Sequence, residues 1–298
     1  MRNRLQIDAP AKINIHLDIL GLRSDGFHDL SSLFQLISLH DTLEVTIRQS
    51  ITFSCSLTCA VNVPFERNTL YRAAKYFFLA VGKTAEVHVT CRKRIPLQAG
   101  LGGGSSDAAA LLAALNRFYD EPLSSEELMQ VGKNIGSDVP FFIDAAAALV
   151  KGKGDIVRPI EPRDDLSGIL IVPDFGIATP DAYERLDLYR KVNCVDYSDA
   201  MSDESMTQMY YTPVKSWTFD NAFIPILYDT YPEYMRIKTA LYASGAGFVT
   251  ISGSGSSMIG IFEDREIDLQ ALIAESSLQS IKVIPIKMLA VQPKAVYN

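Results

Sequence analysis

Ile95-Pro96-Leu97-Gln98-Ala99-Gly100-Leu101-Gly102-Gly103-Gly104-Ser105-Ser106-Asp107-Ala108 is the stretch whose reading decides the fold. Four glycines and two serines stand directly before residues 108–115, an alanine- and leucine-rich run that reads as the opening turns of a buried helix. Backbone without Cβ atoms can approach a ligand closely, and its N–H groups converge where the helix dipole favours an anion. Either Ser106 or Asp107 suits the N-cap. A polyphosphate fits such a loop, although a plain tight turn can use the same residues. No Lys-Ser/Thr closes a Gly-x-x-x-x-Gly-Lys pattern, and no Gly-x-Gly-x-x-Gly spacing is present. A nucleotide held here is held in some other way.

Upstream, residues 11–19 alternate: Ile13, Ile15, Leu17 and Ile19 on one face, Lys12, Asn14, His16 and Asp18 on the other, as in a half-buried strand. Residues 20–26 are turn-rich, so Phe27 and His28 fall at a loop. Further strands are predicted over 43–52 and 86–91, and a helix over 70–81. Two helices follow the glycine run, over 107–118 and 124–135, the second opened by a Ser124/Glu127 capping box. Gly136-Ser137-Asp138-Val139-Pro140 breaks the pattern before an apolar segment over 141–150. Residues 151–154 and 159–165 read as a domain junction, which divides the chain into 1–160 and 161–298. Beyond it lie a strand over 169–172, a flexible insertion over 192–216, and strand, glycine-serine turn and strand over 248–262.

A chain of 298 residues suits about two domains. With 48% hydrophobic and 21% charged residues, it has the composition of a folded globular protein. The net charge of -7 argues against nucleic acid, despite the short Arg92-Lys93-Arg94 cluster. Cys55, Cys59, Cys91 and Cys194 have no zinc spacing with the histidines. A Cys55–Cys59 disulfide is conceivable, and reduced core thiols are favoured. The first ten residues lack an apolar signal core, and no stretch is long enough to span a bilayer. The expectation is a cytoplasmic protein with no membrane, nucleic-acid or obligate protein partner.

Lys12 on its strand is either a solvent-facing residue or a cation for chemistry. Asp138 is either an N-cap ahead of Pro140 or a proton acceptor. Together with the glycine run they supply the parts phosphoryl transfer asks for: a phosphate cradle, a cation, and a carboxylate for a hydroxyl proton.

The order of Pro10-Ala11-Lys12-Ile13-Asn14, the glycine-serine run, Gly136-Ser137-Asp138-Val139-Pro140 and Ser252-Gly253-Ser254-Gly255 resembles the GHMP small-molecule kinases. Arg23-Ser24-Asp25-Gly26-Phe27-His28-Asp29-Leu30 narrows the resemblance to a branch acting in non-mevalonate isoprenoid precursor synthesis. That branch phosphorylates the 2-hydroxyl of a methylerythritol carrying cytidine diphosphate. The resemblance implies a two-domain α+β fold, with an N-terminal ribosomal-protein-S5-like domain that binds ATP and catalyses. A C-terminal ferredoxin-like substrate domain completes it, and the ligands meet in the cleft between them.

By the same resemblance, Asp138 matches the general base and Lys12 the lysine that assists it. ATP would be held by Asn68, Pro96, Gly100, Leu101, Gly102, Gly103, Gly104, Ser105 and Ser106, accompanied by Mg2+ whose protein ligands no residue pattern assigns. Asn14 would place the erythritol. Phe27, His28, Thr179 and Tyr183 would bind the substrate, with Phe27 and Tyr183 sandwiching the cytosine. Phenylalanine at 27 stands where tyrosine is commoner, which keeps the ring face and loses a hydroxyl. Asn68 also suits capping of the helix that follows it.

Overall fold

The alternation that begins at Ala11 belongs to one long strand, β1 (Arg4–Leu22), paired along its length with β2 (His28–Gln49). The computed structural model describes residues 3–61, 63–196, 200–263 and 281–297. Register shifts between Pro10 and Lys12 and between Asn14 and His16 interrupt the pairing. Because each inserted residue turns the following side chains to the other face, one strand serves two cores. Leu5, Ile7, Ala9, Leu17 and Ile19 pack in one core, while Ala11, Ile13 and Ile15 pack in the other. The expected single apolar face is therefore corrected. Lys12, Asn14 and His16, read as the polar face of a half-buried strand, are each buried, at 3 to 4% exposure.

The chain continues through β3 (Ser54–Cys59), α1 (Thr69–Val81), β4 (Ala85–Arg92), α2 (Gly103–Phe118), α3 (Ser125–Lys133), α4 (Phe141–Asp144), β5 (Ala147–Gly152) and β6 (Ile156–Ile160). The second half brings β7 (Ser167–Val172), α5 (Thr179–Asn193), α6 (Asp203–Tyr210), α7 (Ile224–Thr230) and α8 (Glu233–Ala243). Then follow β8 (Phe248–Ile251), β9 (Met258–Phe262), β10 (Lys282–Lys287) and β11 (Val296–Tyr297). The first sheet runs β11-β1-β2-β4-β3, with β5 on the N-terminal half of β2 and β6 beyond it. Only β3–β4 is parallel among its pairs. The second sheet is antiparallel, in the order β10-β7-β9-β8. β11 belongs to the first sheet although it follows the second in sequence.

Helix α2 begins at Gly103, capped by Gly102 at φ 70°, so its first turn contains the glycines themselves. Neither Ser106 nor Asp107 caps it. The Ser106 hydroxyl donates instead to the Pro10 carbonyl of β1 at 2.6 Å, and Asp107 is buried one turn in. The first turn lies close against Ile95: a Cβ on Gly103 would stand 3.0 Å from its side chain. The Ser124/Glu127 capping box forms as read.

Residues 151–154, expected at a domain junction, are the end of β5 and the start of the tight turn into its hairpin partner β6. The 192–216 stretch is not a loose insertion either. Residues 197–199 lie outside the described residues, but α6 buries Met206 and Tyr210 beside Trp217. The Tyr210 hydroxyl donates to Gln35 Oε1 of β2 at 2.5 Å and accepts from the Arg163 N–H at 2.9 Å. Its polar composition hid a short amphipathic plug between the two sheets.

All four cysteines are free: Cys91 buried, Cys55 and Cys59 half-buried, Cys194 exposed. Cys55 and Cys59 lie four residues apart on one extended strand, roughly 13 Å, which no disulfide spans. Among the described residues no helix is long and apolar enough to cross a membrane.

Candidate active site

A cleft of about 830 Å³ lies where the glycine run meets β1, α5 and the β8–β9 turn, a volume in the range of small-molecule sites. Gly100 and Gly102 adopt φ 74° and 70°, and both are hemmed in. A Cβ on Gly100 would lie 1.9 Å from the Ser252 carbonyl oxygen, and one on Gly102 would lie 2.8 Å from the Phe142 ring. The run is latched on two sides. The Lys12 N–H donates to the Leu101 carbonyl at 3.1 Å, and the Ser252 hydroxyl donates to the Gly100 carbonyl at 2.9 Å. Ser252 Oγ in turn accepts from the Asn14 N–H at 3.2 Å. Gly103 and Gly104 line the cleft at the N-terminus of α2, where opening N–H groups have no intrahelical acceptor. The geometry suits phosphate oxygens.

Behind this turn lies a buried cluster that the sequence did not suggest. Lys93 Nζ donates to Asp107 at 2.8 Å and also to Asp41, whose other oxygen accepts from the Arg94 and Ile95 N–H groups. Two carboxylates share one ammonium. Burial, and the nearby Asp41 charge, push the Asp107 carboxyl up to about 7 against the pull of Lys93. The paired carboxylates hold Lys93 above the ordinary lysine range. Lys93 also lines the cleft, 3.4 Å from where a Gly103 Cβ would stand.

Beside the loop, Lys12 Nζ sits 2.5 Å from Asn14 Oδ1, 3.7 Å from Asp138 Oδ2 and 4.2 Å over the Phe34 ring. Burial holds this ammonium below the ordinary lysine range, and the Asp138 carboxylate partly offsets the shift. Asp138 does not cap α4, whose N-cap is Pro140. It is 30% exposed and borders the cleft, so one oxygen faces a lysine while the group remains open to a ligand. Asn14 Nδ2 donates to Ser32 Oγ at 2.9 Å, which fixes its amide.

Past Asp138 the cleft becomes aromatic. Phe27, 52% exposed, has Lys153 Nζ 4.9 Å over its ring. His28 stacks on Tyr183 with centroids 4.7 Å apart at 24°, and Tyr183 meets Phe223 edge-on at 5.0 Å. Burial raises the Tyr183 phenol, which keeps it neutral. Thr179 Oγ1 lies 3.3 Å from Ser254 Oγ, tying α5 to the β8–β9 turn.

Of the residues singled out from sequence, Lys12, Asn14, Phe27, His28, Pro96, Gly100 to Gly104, Ser105, Asp138, Thr179 and Tyr183 line this cleft. Asn68 and Ser106 do not. Asn68 Oδ1 accepts from the Leu70 N–H at 2.9 Å as the N-cap of α1, and its neighbour Thr69 borders the cleft. Lys153 and Asp187 were missed, while Lys93, read only as part of a short basic cluster, lines the cleft beside the glycine run. Asp187 stands one helical turn after Tyr183, a spacing that places both on one face of α5. Among the described residues, no cluster of three or more His, Cys, Asp or Glu side chains is arranged to hold a metal.

A glycine turn thus opens a helix beside a buried lysine and its part-exposed aspartate partner, and the β8–β9 turn of the second sheet closes the cleft. Residues 68–152 match the N-terminal domain of the GHMP kinases, and residues 211–274 match their C-terminal domain. A 4-diphosphocytidyl-2-C-methyl-D-erythritol kinase of Thermodesulfovibrio yellowstonii is 37% identical over 270 residues, covering 90% of this chain and 93% of that protein. One of Salinibacter ruber is 37% identical over 290 residues, covering 92% and 94%. A crystal structure of a 4-(cytidine 5'-diphospho)-2C-methyl-D-erythritol kinase superposes with TM-score 0.74 at 27% identity, over 95% of this chain and 99% of that one. A homoserine kinase of Cytophaga hutchinsonii superposes with TM-score 0.75 at 16% identity, over 99% and 98%, which speaks for the fold alone. The chain belongs to the 4-diphosphocytidyl-2-C-methyl-D-erythritol kinases, a branch of the GHMP kinases, with their two-domain α+β fold. It is a kinase that binds ATP and phosphorylates an alcohol on a small molecule.

Proposed function

We propose that this kinase transfers the γ-phosphoryl group of ATP to the 2-hydroxyl of 4-diphosphocytidyl-2-C-methyl-D-erythritol. The observation that carries the reading is the position of Asp138, paired with Lys12 where the cleft passes from glycine turn to aromatic end. An alcohol bound there presents its oxygen to both phosphate and base. Asp138 takes the hydroxyl proton as the oxygen attacks phosphorus, and ADP leaves. The Lys12 ammonium stabilises negative charge growing on the transferring group, in a buried setting where that attraction is little screened.

Residues 100–105 cradle the triphosphate. The Asn14 amide, fixed by Ser32 and Lys12, orients the erythritol. Phe27 offers an exposed ring face to the cytosine, and the stacked His28–Tyr183 pair borders the same end of the cleft. Mg2+ would enter with ATP and help neutralise its phosphates; among the described residues no cluster of three or more His, Cys, Asp or Glu side chains is arranged to hold it. In this reading residues 1–160, S5-like, supply ATP binding and catalysis. Residues 161–298, ferredoxin-like, supply α5 and the β8–β9 turn, with β11 crossing back to β1.

Homoserine and mevalonate kinases share this fold, but neither alcohol has a base to stack. Incubating the purified protein with MgATP and each of the three alcohols, with mass spectrometry of the products, tests the proposal. Phosphate on the cytidine compound alone is expected. Phosphorylation of homoserine or mevalonate in its place would overturn the reading.

A further inference from the structure

Lys12 Nζ has Asn14 Oδ1 as its nearest acceptor at 2.5 Å, with Asp138 Oδ2 at 3.7 Å. An amide has an accepting end and a donating end, so this bond depends on which way Asn14 is turned. The opposite orientation would point an N–H at an ammonium. Asn14 Nδ2 donates to Ser32 Oγ at 2.9 Å, and the Ser32 hydroxyl donates in turn to the His16 carbonyl. A carbonyl only accepts, so the direction of the whole chain is anchored at its backbone end. The hydroxyl proton goes to His16, a lone pair is left for Asn14 Nδ2, and Oδ1 is left for Lys12. The two strands supply the arrangement. Ser32 stands two residues before Phe34 on β2, on the face that meets Lys12 and Asn14. The register shift between Asn14 and His16 interrupts the ladder where the His16 carbonyl accepts from Ser32. Ser32 is 1% exposed and does not line the cleft, so it reaches a ligand only through Asn14 and Lys12.

We infer that Ser32 is a positioning residue for phosphoryl transfer: its hydroxyl, committed to the His16 carbonyl, turns the Asn14 amide so that Oδ1 holds the Lys12 ammonium beside Asp138. The inference rests on the reading of Lys12 as the cation for the transferred group, and adds what keeps that lysine charged. Burial favours the neutral amine. A neutral amine can accept a hydrogen bond, so an amide free to turn would stabilise it by presenting Nδ2. Ser32 removes that option. Among the described residues, Asp138 is the charged group facing Lys12. β2 presents Phe34 to it, and the glycine run presents Leu101 and Gly102, none of which titrates. The alternative is that Ser32 only fills the irregularity in β1. That role would affect stability and leave the titration of Lys12 alone.

The test compares wild type with Ser32→Ala and Ser32→Thr. For each protein, kcat is followed across the alkaline range with MgATP and 4-diphosphocytidyl-2-C-methyl-D-erythritol. Lys12 is also titrated directly, by its carbon-13 and nitrogen-15 shifts in the ligand-free protein. Ser32→Ala is expected to lower kcat roughly ten-fold, as loss of one hydrogen bond to a charged group does. The alkaline limb and the Lys12 titration should both move about one pH unit lower, the equivalent of that loss. KM for ATP should not move. Ser32→Thr keeps the hydroxyl and should keep the wild-type titration. In wild type, a neutron structure should show the Ser32 deuterium directed at His16 and the Asn14 amide deuteriums on the atom beside Ser32.

A Ser32 deuterium directed at Asn14 in wild type would overturn the inference without any variant. A Lys12 titration unmoved in folded Ser32→Ala, or moved as far in Ser32→Thr, would leave Ser32 as filler of the irregularity. An alkaline limb that persists in Lys12→Met would remove the reading of Lys12 and this inference with it. If the cytidine compound is not phosphorylated, that substrate is removed, and the Lys12 titration, which needs none, still decides for or against Ser32.

Discussion

Lys12 Nζ lies 3.7 Å from Asp138 Oδ2, and the two partners, both bordering the cleft, differ sharply in exposure. The lysine is enclosed by Phe34, Asn14 and the glycine run, with 5% of its side chain exposed against 30% for Asp138. A buried ammonium with one carboxylate partner is costly to keep, and its position beside the phosphate cradle gives it a chemical use.

Asp138→Asn keeps the shape of the side chain and removes its basicity. Turnover is expected to fall by ~10²–10⁴-fold, the usual contribution of a positioned base. Substrate and ATP should still bind, as titration calorimetry on the variant would show. A loss smaller than about ten-fold would assign the base to another group.

Lys12→Met separates catalysis from stability. Turnover should drop by about 10²-fold or more, because charge stabilisation in the transition state is lost. The melting temperature should hold or rise, since the methionine fills the apolar setting without a desolvated charge and Asp138 keeps its access to water. Parallel steady-state kinetics and thermal melts read both effects.

Gly100→Ala and Gly82→Ala form a matched pair. Both glycines have positive φ, at 74° and 62°, but a Cβ at Gly82 meets open space and one at Gly100 meets a carbonyl at 1.9 Å. Gly82→Ala should cost about 1 kcal/mol of stability, the backbone term alone. Gly100→Ala should cost at least about 2 kcal/mol more, as expected for an overpacked site, and should weaken ATP binding. Denaturant titration and a nucleotide-binding assay check the two.

Asp107→Asn tests the shared ammonium through pH. The Asp107 carboxyl is pushed up from its usual range to about 7, so the folded state binds its proton more tightly than the unfolded chain does. Its contribution is full below about pH 4 and declines as pH rises toward 7. The asparagine variant should lack that decline. Its melting temperature should gain on wild type as pH increases across this window, with Lys93 still paired to Asp41.

Phe27→Ala removes an exposed ring and should leave stability nearly unchanged. Affinity for the cytidine substrate should fall by ~1–3 kcal/mol, the range for stacking a base on an aromatic side chain. ATP affinity should not follow. Equal substrate affinity in the variant would take Phe27 out of the base pocket.

The parts of this site legible in sequence are those whose chemistry is local. A glycine run before an apolar helix, an aspartate in a proline break and a lysine within a strand each show their oddity within about ten residues. The start of α2 was misplaced because glycine has poor helix propensity, while the first turn of α2 contains Gly103 and Gly104. Lys12 was read as possibly solvent-facing because register shifts in β1, which turn it inward, leave no mark on the alternation. The His28–Asp187 and Asp41–Lys93–Asp107 contacts join distant segments, and nothing in either segment announces the other. Residues 192–216 misled for the opposite reason: polar composition masked Met206 and Tyr210, which seal the space between the sheets.

Gly100 takes its shape from Ser252, 152 positions away. The proposed nucleotide cradle therefore has no outer wall until the second sheet has docked, and ATP affinity is expected to gauge that docking. A fragment ending before β8 would carry every glycine of the run and still hold nucleotide poorly. A small molecule wedged between the run and the β8–β9 turn would expel ATP without occupying any of the space ATP fills.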